Sequence, residues 1–142
     1  MSDTRIFPRS PRETMAGWVY LPRFIDKIRL HLAGKLPPEY QENFTKGFDG
    51  FWLKSAGVSA EQFTDVVKNS ATDGQVCDWV LKNVQKGPEE KKAFNDYILN
   101  RGKENDEAIR ARLEMRKKES SLAHRADIQT FVDYIDADEG RI

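Results

Sequence analysis

Apolar residues recur at spacings of three and four along most of this chain, between side chains that start helices and glycines that stop them. Leu21, Phe24, Ile25, Ile28 and Leu32 form the first such stripe, with Gly34 as its stop. Pro37-Pro38 restarts the chain, so a short helix is expected from Glu39 and another over Phe48 to Ala56, ended by Gly57. Ser59-Ala60-Glu61-Gln62 reads as a capping box ahead of Phe63, Val66 and Val67. Thr72-Asp73-Gly74-Gln75 repeats the device ahead of Val76, Trp79, Val80 and Val84. Gly87-Pro88-Glu89-Glu90 opens a helix that buries Phe94, Tyr97 and Ile98 and stops at Gly102. The segment 105–119 is dense in charge and has little beyond Ile109 and Leu113 to bury. It is expected to be an exposed helix, braced by Asp106/Arg110 and Glu114/Lys118. Asp127 can cap a last helix carrying Ile128, Phe131, Val132 and Ile135, a stripe that makes this helix integral to the core.

Strand alternation is missing. Trp18-Val19-Tyr20-Leu21 is the one short candidate, too little for a sheet by itself. The pattern predicts an all-α, single compact domain of about six or seven helices over 13–142. Residues 1–12, with Arg5, Arg9, Arg12 and two prolines but no periodicity, read as an extended N-terminal arm, free to move or to lie along the domain.

A chain of 142 residues fits one domain and can bury a core without staples. Its 23 basic residues balance 23 acidic ones, so no overall field draws it to nucleic acid or to an anionic membrane. The cations Arg110, Arg112, Arg116, Lys117 and Lys118 are diluted by Glu107, Glu114 and Glu119, which ranks nucleic-acid binding last. The N-terminus carries no apolar run of the kind that forms a signal peptide or spans a bilayer, and the single cysteine, Cys77, suits a reducing compartment. A cytoplasmic location is expected. There is no glycine-rich phosphate loop, His-Glu-x-x-His or paired Cys-x-x-Cys, so neither a metal site nor a cofactor is expected. His31 sits at the edge of the first apolar stripe as a half-buried boundary residue, and Cys77 reads as a small buried hydrophobe.

Asp49 and Asp73 each precede a glycine, which in most proteins means a cap or a turn. They also suggest a pocket in which Asp49 sits beside Trp52 and meets Arg23 from the first helix. Arginine facing carboxylate beside aromatic rings binds polar small molecules or peptide ends. The aromatic string Trp18, Tyr20, Phe24, Phe44, Phe48, Phe51 and Trp52 is chiefly core. Phe48, Phe51 and Trp52 already fill one helical face, so Trp18 and Tyr20 need another surface, and one of them can line a groove. The candidate site is therefore Trp18, Tyr20, Arg23, Asp49, Trp52 and Asp73. An exposed Arg23–Asp49 pair would contribute only about 0–1 kcal/mol, so Arg23→Ala and Asp49→Asn are expected to melt close to the parent.

Five strings stand out: Ser10-Pro11-Arg12, Leu21-Pro22-Arg23-Phe24-Ile25-Asp26-Lys27, Asn43 to Trp52, Ser70-Ala71-Thr72-Asp73-Gly74, and Ile135-Asp136-Ala137-Asp138-Glu139-Gly140-Arg141. In this order they resemble a bacterial domain-of-unknown-function family of about this length. The resemblance implies a small bacterial protein with a helical fold, and carries over no activity and no functional residue. The residues themselves favour a non-catalytic helical binding module for an unknown protein partner or a small polar ligand. The alternative is a small helical enzyme with Asp49 or Asp73 as base and Arg23 orienting an anionic substrate.

Overall fold

Local signals set most of the helix boundaries. The computed structural model describes residues 6–142, so the expected arm is described only from Ile6 and Met1–Arg5 lie outside the described residues. The elements are β1 (Thr14–Met15), β2 (Trp18–Val19), α1 (Leu21–Leu32), α2 (Pro38–Gln41), α3 (Gly47–Ala56), α4 (Ala60–Lys68), α5 (Asp73–Asn83), α6 (Pro88–Asn100), α7 (Glu107–Glu119) and α8 (Phe131–Asp138). Among the described residues the fold is thus eight helices, one of them a single turn, beside one two-residue hairpin. Ser59 Oγ accepts from the Gln62 N–H, and Thr72 and Gln75 form the full capping box that opens α5. Pro22 and Pro88 sit in the first turns of α1 and α6, where a missing N–H costs no hydrogen bond.

The one strand candidate pairs. Thr14 faces Val19 and Met15 faces Trp18 across an antiparallel turn in which Ala16 and Gly17 both take positive φ. This hairpin packs on α6 and hands Trp18 to the core, where its ring meets Trp52 edge-on at 6.0 Å and Phe94 at 5.4 Å. Phe24, Ile25 and Ile28 of α1 close the same core against α4 and its Phe63. The stripe of α1 ends a turn earlier than expected, because Leu32 is 45% exposed. His31 is exposed rather than half-buried and stacks on Phe44 at 4.4 Å, while Cys77 is only partly buried.

The last helix starts later than its apolar spacing suggests. Asp127 is tied to Arg125, and Thr130 is the cap instead, its hydroxyl accepting from the Asp133 N–H at 3.1 Å. The Phe131 N–H is taken by the Arg101 carbonyl, which fixes α8 across the end of α6. Gly102 permits that approach: a Cβ there would meet Thr130 Cα at 3.0 Å. The expected stripe divides as a result. Ile128 and Val132 are buried, while Phe131 and Ile135 turn toward an open cleft. On α7 the bracing also differs, with Asp106 capping the helix and Lys117, not Lys118, reaching Glu114.

From Ile6 on, the arm lies along the domain. Arg9 holds Asp26 of α1 at 2.9 Å and Asp73 of α5 at 2.8 Å. Arg12 binds Asp136 and Asp133 of α8, and the Pro8 carbonyl accepts from Arg141 at 2.6 Å. The bonds of Pro8 and Arg12 tie this stretch to α8 and to Arg141 beyond it.

Candidate functional site

The cleft begins where α1 leaves the hairpin. Tyr20, the residue before α1, has φ 73°, and Thr45, in the loop before α3, has φ 65°. Bulky and β-branched residues seldom adopt such a backbone, and it persists where surrounding contacts impose it. Both contacts converge on one carboxylate. Asp49, fully buried in the first turn of α3, accepts from the Tyr20 hydroxyl at 2.5 Å and from the Thr45 N–H at 3.0 Å. Gly50 lets the chain fold back this tightly, since a Cβ there would stand 3.0 Å from the Thr45 carbonyl oxygen. The third donor is Lys27, whose ammonium lies 2.8 Å from Asp49.

Arg23 is one helical turn before Lys27 on the same face of α1, yet it has a different partner. It makes a bidentate pair with Glu139, just after α8, at 2.9 and 2.7 Å. The Tyr40 hydroxyl of α2 donates to the same carboxylate at 2.6 Å and Arg141 reaches it at 2.5 Å. The expected Arg23–Asp49 contact is therefore replaced by two adjacent buried pairs. Tyr20 and Lys27, on either side of Arg23 in the chain, occupy Asp49, while the forked guanidinium of Arg23 matches the two oxygens of Glu139.

Burial and charge set the protonation of this cluster. Burial pushes the Lys27 amine below its ordinary value, with Asp49 opposing that shift. Burial, reinforced by Asp49, pushes the Tyr20 hydroxyl well up, so it stays a donor. Burial also acts to raise Glu139, but its bonds from Arg23 outweigh that and hold the carboxyl below its usual range. Glu139 is accordingly ionised and a weak proton acceptor.

Above this layer opens a cleft of about 640 Å³ between α1, α2, α3, α7 and α8. Its aromatic wall is Phe48 and Phe51 of α3 with Tyr97 of α6, where Phe51 stacks on Tyr97 at 4.1 Å and Phe48 meets Tyr20 edge-on at 5.6 Å. Phe131, Tyr134 and Ile135 of α8 face them. Seven cationic side chains line the cleft against three acidic ones, Glu39, Asp138 and Glu139. Lys46, Lys54, Arg112 and Arg116 stand exposed at the edge, and among the described residues none of the four has a carboxylate within ion-pairing distance. The cleft thus offers apolar faces below a surplus of positive charge.

The structure brings together Tyr20 and Arg23 in the cleft wall, with Asp49 directly behind them. Trp18 and Trp52 lie enclosed in the core, where neither can line a groove. Asp73 lies outside the cleft, held by Arg9 and by Arg29 at 2.6 Å. Partial burial acts to raise its carboxyl, and these two arginines outweigh it and hold it below the ordinary value. Sequence reasoning passed over Lys27, Tyr40 and Glu139, assigned Phe48, Phe51 and Tyr97 to the core, and weighed Arg112 and Arg116 only as nucleic-acid contacts. One available clue was the four-residue spacing of Arg23 and Lys27, which puts two cations on the helix face that also carries apolar neighbours. Among the described residues no group of three or more His, Cys, Asp and Glu side chains could hold a metal ion, and no helix is long and apolar enough to cross a membrane.

Fold and cleft together define a small helical domain with an open aromatic pocket edged by exposed cations. The chain belongs to the family described as a domain of unknown function, DUF5069, which matches residues 5–141. No curated protein matches it.

Proposed function

We propose that this domain is a non-catalytic binding module whose ligand is a small organic anion with an aromatic or otherwise apolar body, seated in the cleft between α3, α7 and α8. The observation that carries this reading is the coincidence of stacked rings and exposed cations that have no carboxylate partner among the described residues: Phe51 on Tyr97 below, Lys46, Lys54, Arg112 and Arg116 above. Apolar walls supply affinity and a few placed charges supply orientation, the usual division of labour in small-molecule sites. Glu139, at the cleft wall, supports a binding role for that wall over one as a general base, because it is already committed to Arg23, Tyr40 and Arg141. A cytoplasmic setting in a bacterial cell goes with this proposal, on the strength of the single cysteine and of the bacterial family the sequence resembles.

Anilinonaphthalene sulfonate, an aromatic anion, tests it by fluorescence and calorimetry on the folded protein. Saturable binding of one molecule per chain is expected, weakened by added salt and by Arg112→Ala with Arg116→Ala. Binding that is unsaturable, or that both arginine substitutions leave unchanged, would sink the proposal.

A further inference from the structure

An aromatic anion needs the rings and the exposed cations, and gives Lys27 no part in holding it beyond its pair with Asp49. Its side chain is 6% exposed, at the base of the same cleft, beside Tyr20 and Arg23. A lysine there is chemically unlike an arginine, because it can surrender its proton and become a nucleophile. Its neighbour is arranged to take that proton. Asp49 stands 2.8 Å from the amine, and the bonds from Tyr20 and Thr45, both made from positive-φ backbone, hold its two oxygens in place. Burial favours the neutral amine, against the pull of Asp49.

We propose, resting on the cleft reading above, that the Lys27 amine captures the carbonyl group of an anionic aldehyde or ketone as a reversible imine. The Lys27 ammonium passes a proton to Asp49, and the freed lone pair attacks the carbonyl carbon. A C–N bond forms as the carbonyl π pair moves to oxygen, and a proton shifts from nitrogen to that oxygen to give the neutral carbinolamine. Asp49 then returns its proton to the hydroxyl, the C–O bond breaks, and water leaves as the C=N bond forms. The sum is one ammonium and one carbonyl compound giving one protonated imine and one water, with no oxidant or reductant. Exposed cations such as Arg112 and Arg116 hold the anionic end, and the Phe48 and Phe51 wall holds the body between.

Pyridoxal phosphate, an aromatic aldehyde carrying a phosphate, is the probe. The full-length protein is incubated with it, reduced with borohydride, digested and mapped by mass spectrometry. One adduct per chain at Lys27 is expected in preference to exposed lysines such as Lys68 and Lys118, with its formation blocked by anilinonaphthalene sulfonate. Lys27→Arg, which keeps the charge opposite Asp49, is expected to lose that adduct while retaining the parent circular dichroism. Should the variant fail to fold, the map of the parent still decides. Label spread over the exposed lysines with Lys27 unmodified, or full labelling retained in folded Lys27→Arg, overturns the imine. If the sulfonate still binds in that case, the cleft reading stands and only this inference falls. If neither probe occupies the cleft, both fall.

Discussion

Replacing Asp49 by asparagine removes one oxygen's charge from a site with no access to water, and its cost follows from the three donors it serves. Asp49 accepts from the Tyr20 hydroxyl, the Lys27 ammonium and the Thr45 N–H at 2.5, 2.8 and 3.0 Å. An asparagine has a single acceptor oxygen, so its amide NH₂ must face at least one of these donors. The Lys27 ammonium, on a side chain only 6% exposed, then lacks its counter-charge. Breaking a buried pair in this way costs about 3–5 kcal/mol, a drop of ~10–15 °C in melting temperature for a domain of this length. Urea unfolding followed by the fluorescence of the enclosed Trp18 and Trp52 measures it. The sign of the pH dependence is fixed. With Asp49 gone, the folded-state pKa of Lys27 falls further below its unfolded value, so the unfolded chain binds more protons and stability rises with pH through that interval. The deficit of Asp49→Asn should therefore shrink from neutral pH toward about pH 10, and a second change, Lys27→Met, should recover much of it. A variant that melts within about 0.5 kcal/mol of the parent, or whose deficit ignores pH, would refute the reasoning. The same burial reverses the expectation drawn from an exposed Arg23–Asp49 pair.

Arg23→Ala should lose about 3–5 kcal/mol by leaving Glu139 without its bidentate partner, read by the same urea titration. Glu139 has a folded pKa below its unfolded value of 4.5, so its contribution is complete above that pH and is lost as pH falls through the folded value. Glu139→Gln should give a shallower acid limb, and an acid limb as steep as the parent's would contradict this. Thr45→Gly keeps the N–H bonded to Asp49 and relieves a β-branched residue at φ 65°, so it should raise stability by up to about 1 kcal/mol in thermal melts. Thr130→Ala should cost about 1 kcal/mol through the lost cap, where Asp127→Ala costs little. Truncation after Ala126 removes Ile128, Val132 and both partners of Arg12 and should leave a chain that no longer melts cooperatively.

Asp127, Thr130 and the Arg23 pairing mark the limit of what the sequence by itself determined. The helix starts at Ser59, Thr72 and Pro88 were legible because each rests on bonds between residues three or four apart, which the local order of side chains specifies. The all-helical class followed from apolar spacing, as did the burial of Phe24, Ile25, Ile28, Phe63 and Val132. Tyr20 and Arg23 line the cleft, but the sequence singled out Tyr20 as an aromatic in need of another surface and Arg23 as the partner of Asp49, where the structure pairs it with Glu139. Spacing names a face of a helix and stays silent about what that face meets. Only the tertiary structure gave Arg23 to Glu139 across 116 positions, gave Asp49 to Lys27, closed Trp18 and Trp52 into the core and left Phe48, Phe51 and Tyr97 around a cleft. It also moved the cap of the last helix from Asp127 to Thr130, because the docking of the Phe131 N–H on the Arg101 carbonyl is a contact between distant segments. Local hydrogen bonds and periodicity are properties of neighbours in the chain. Ion pairs and ring contacts fall off within a few ångströms in space, so their partners are fixed only once the helices have packed.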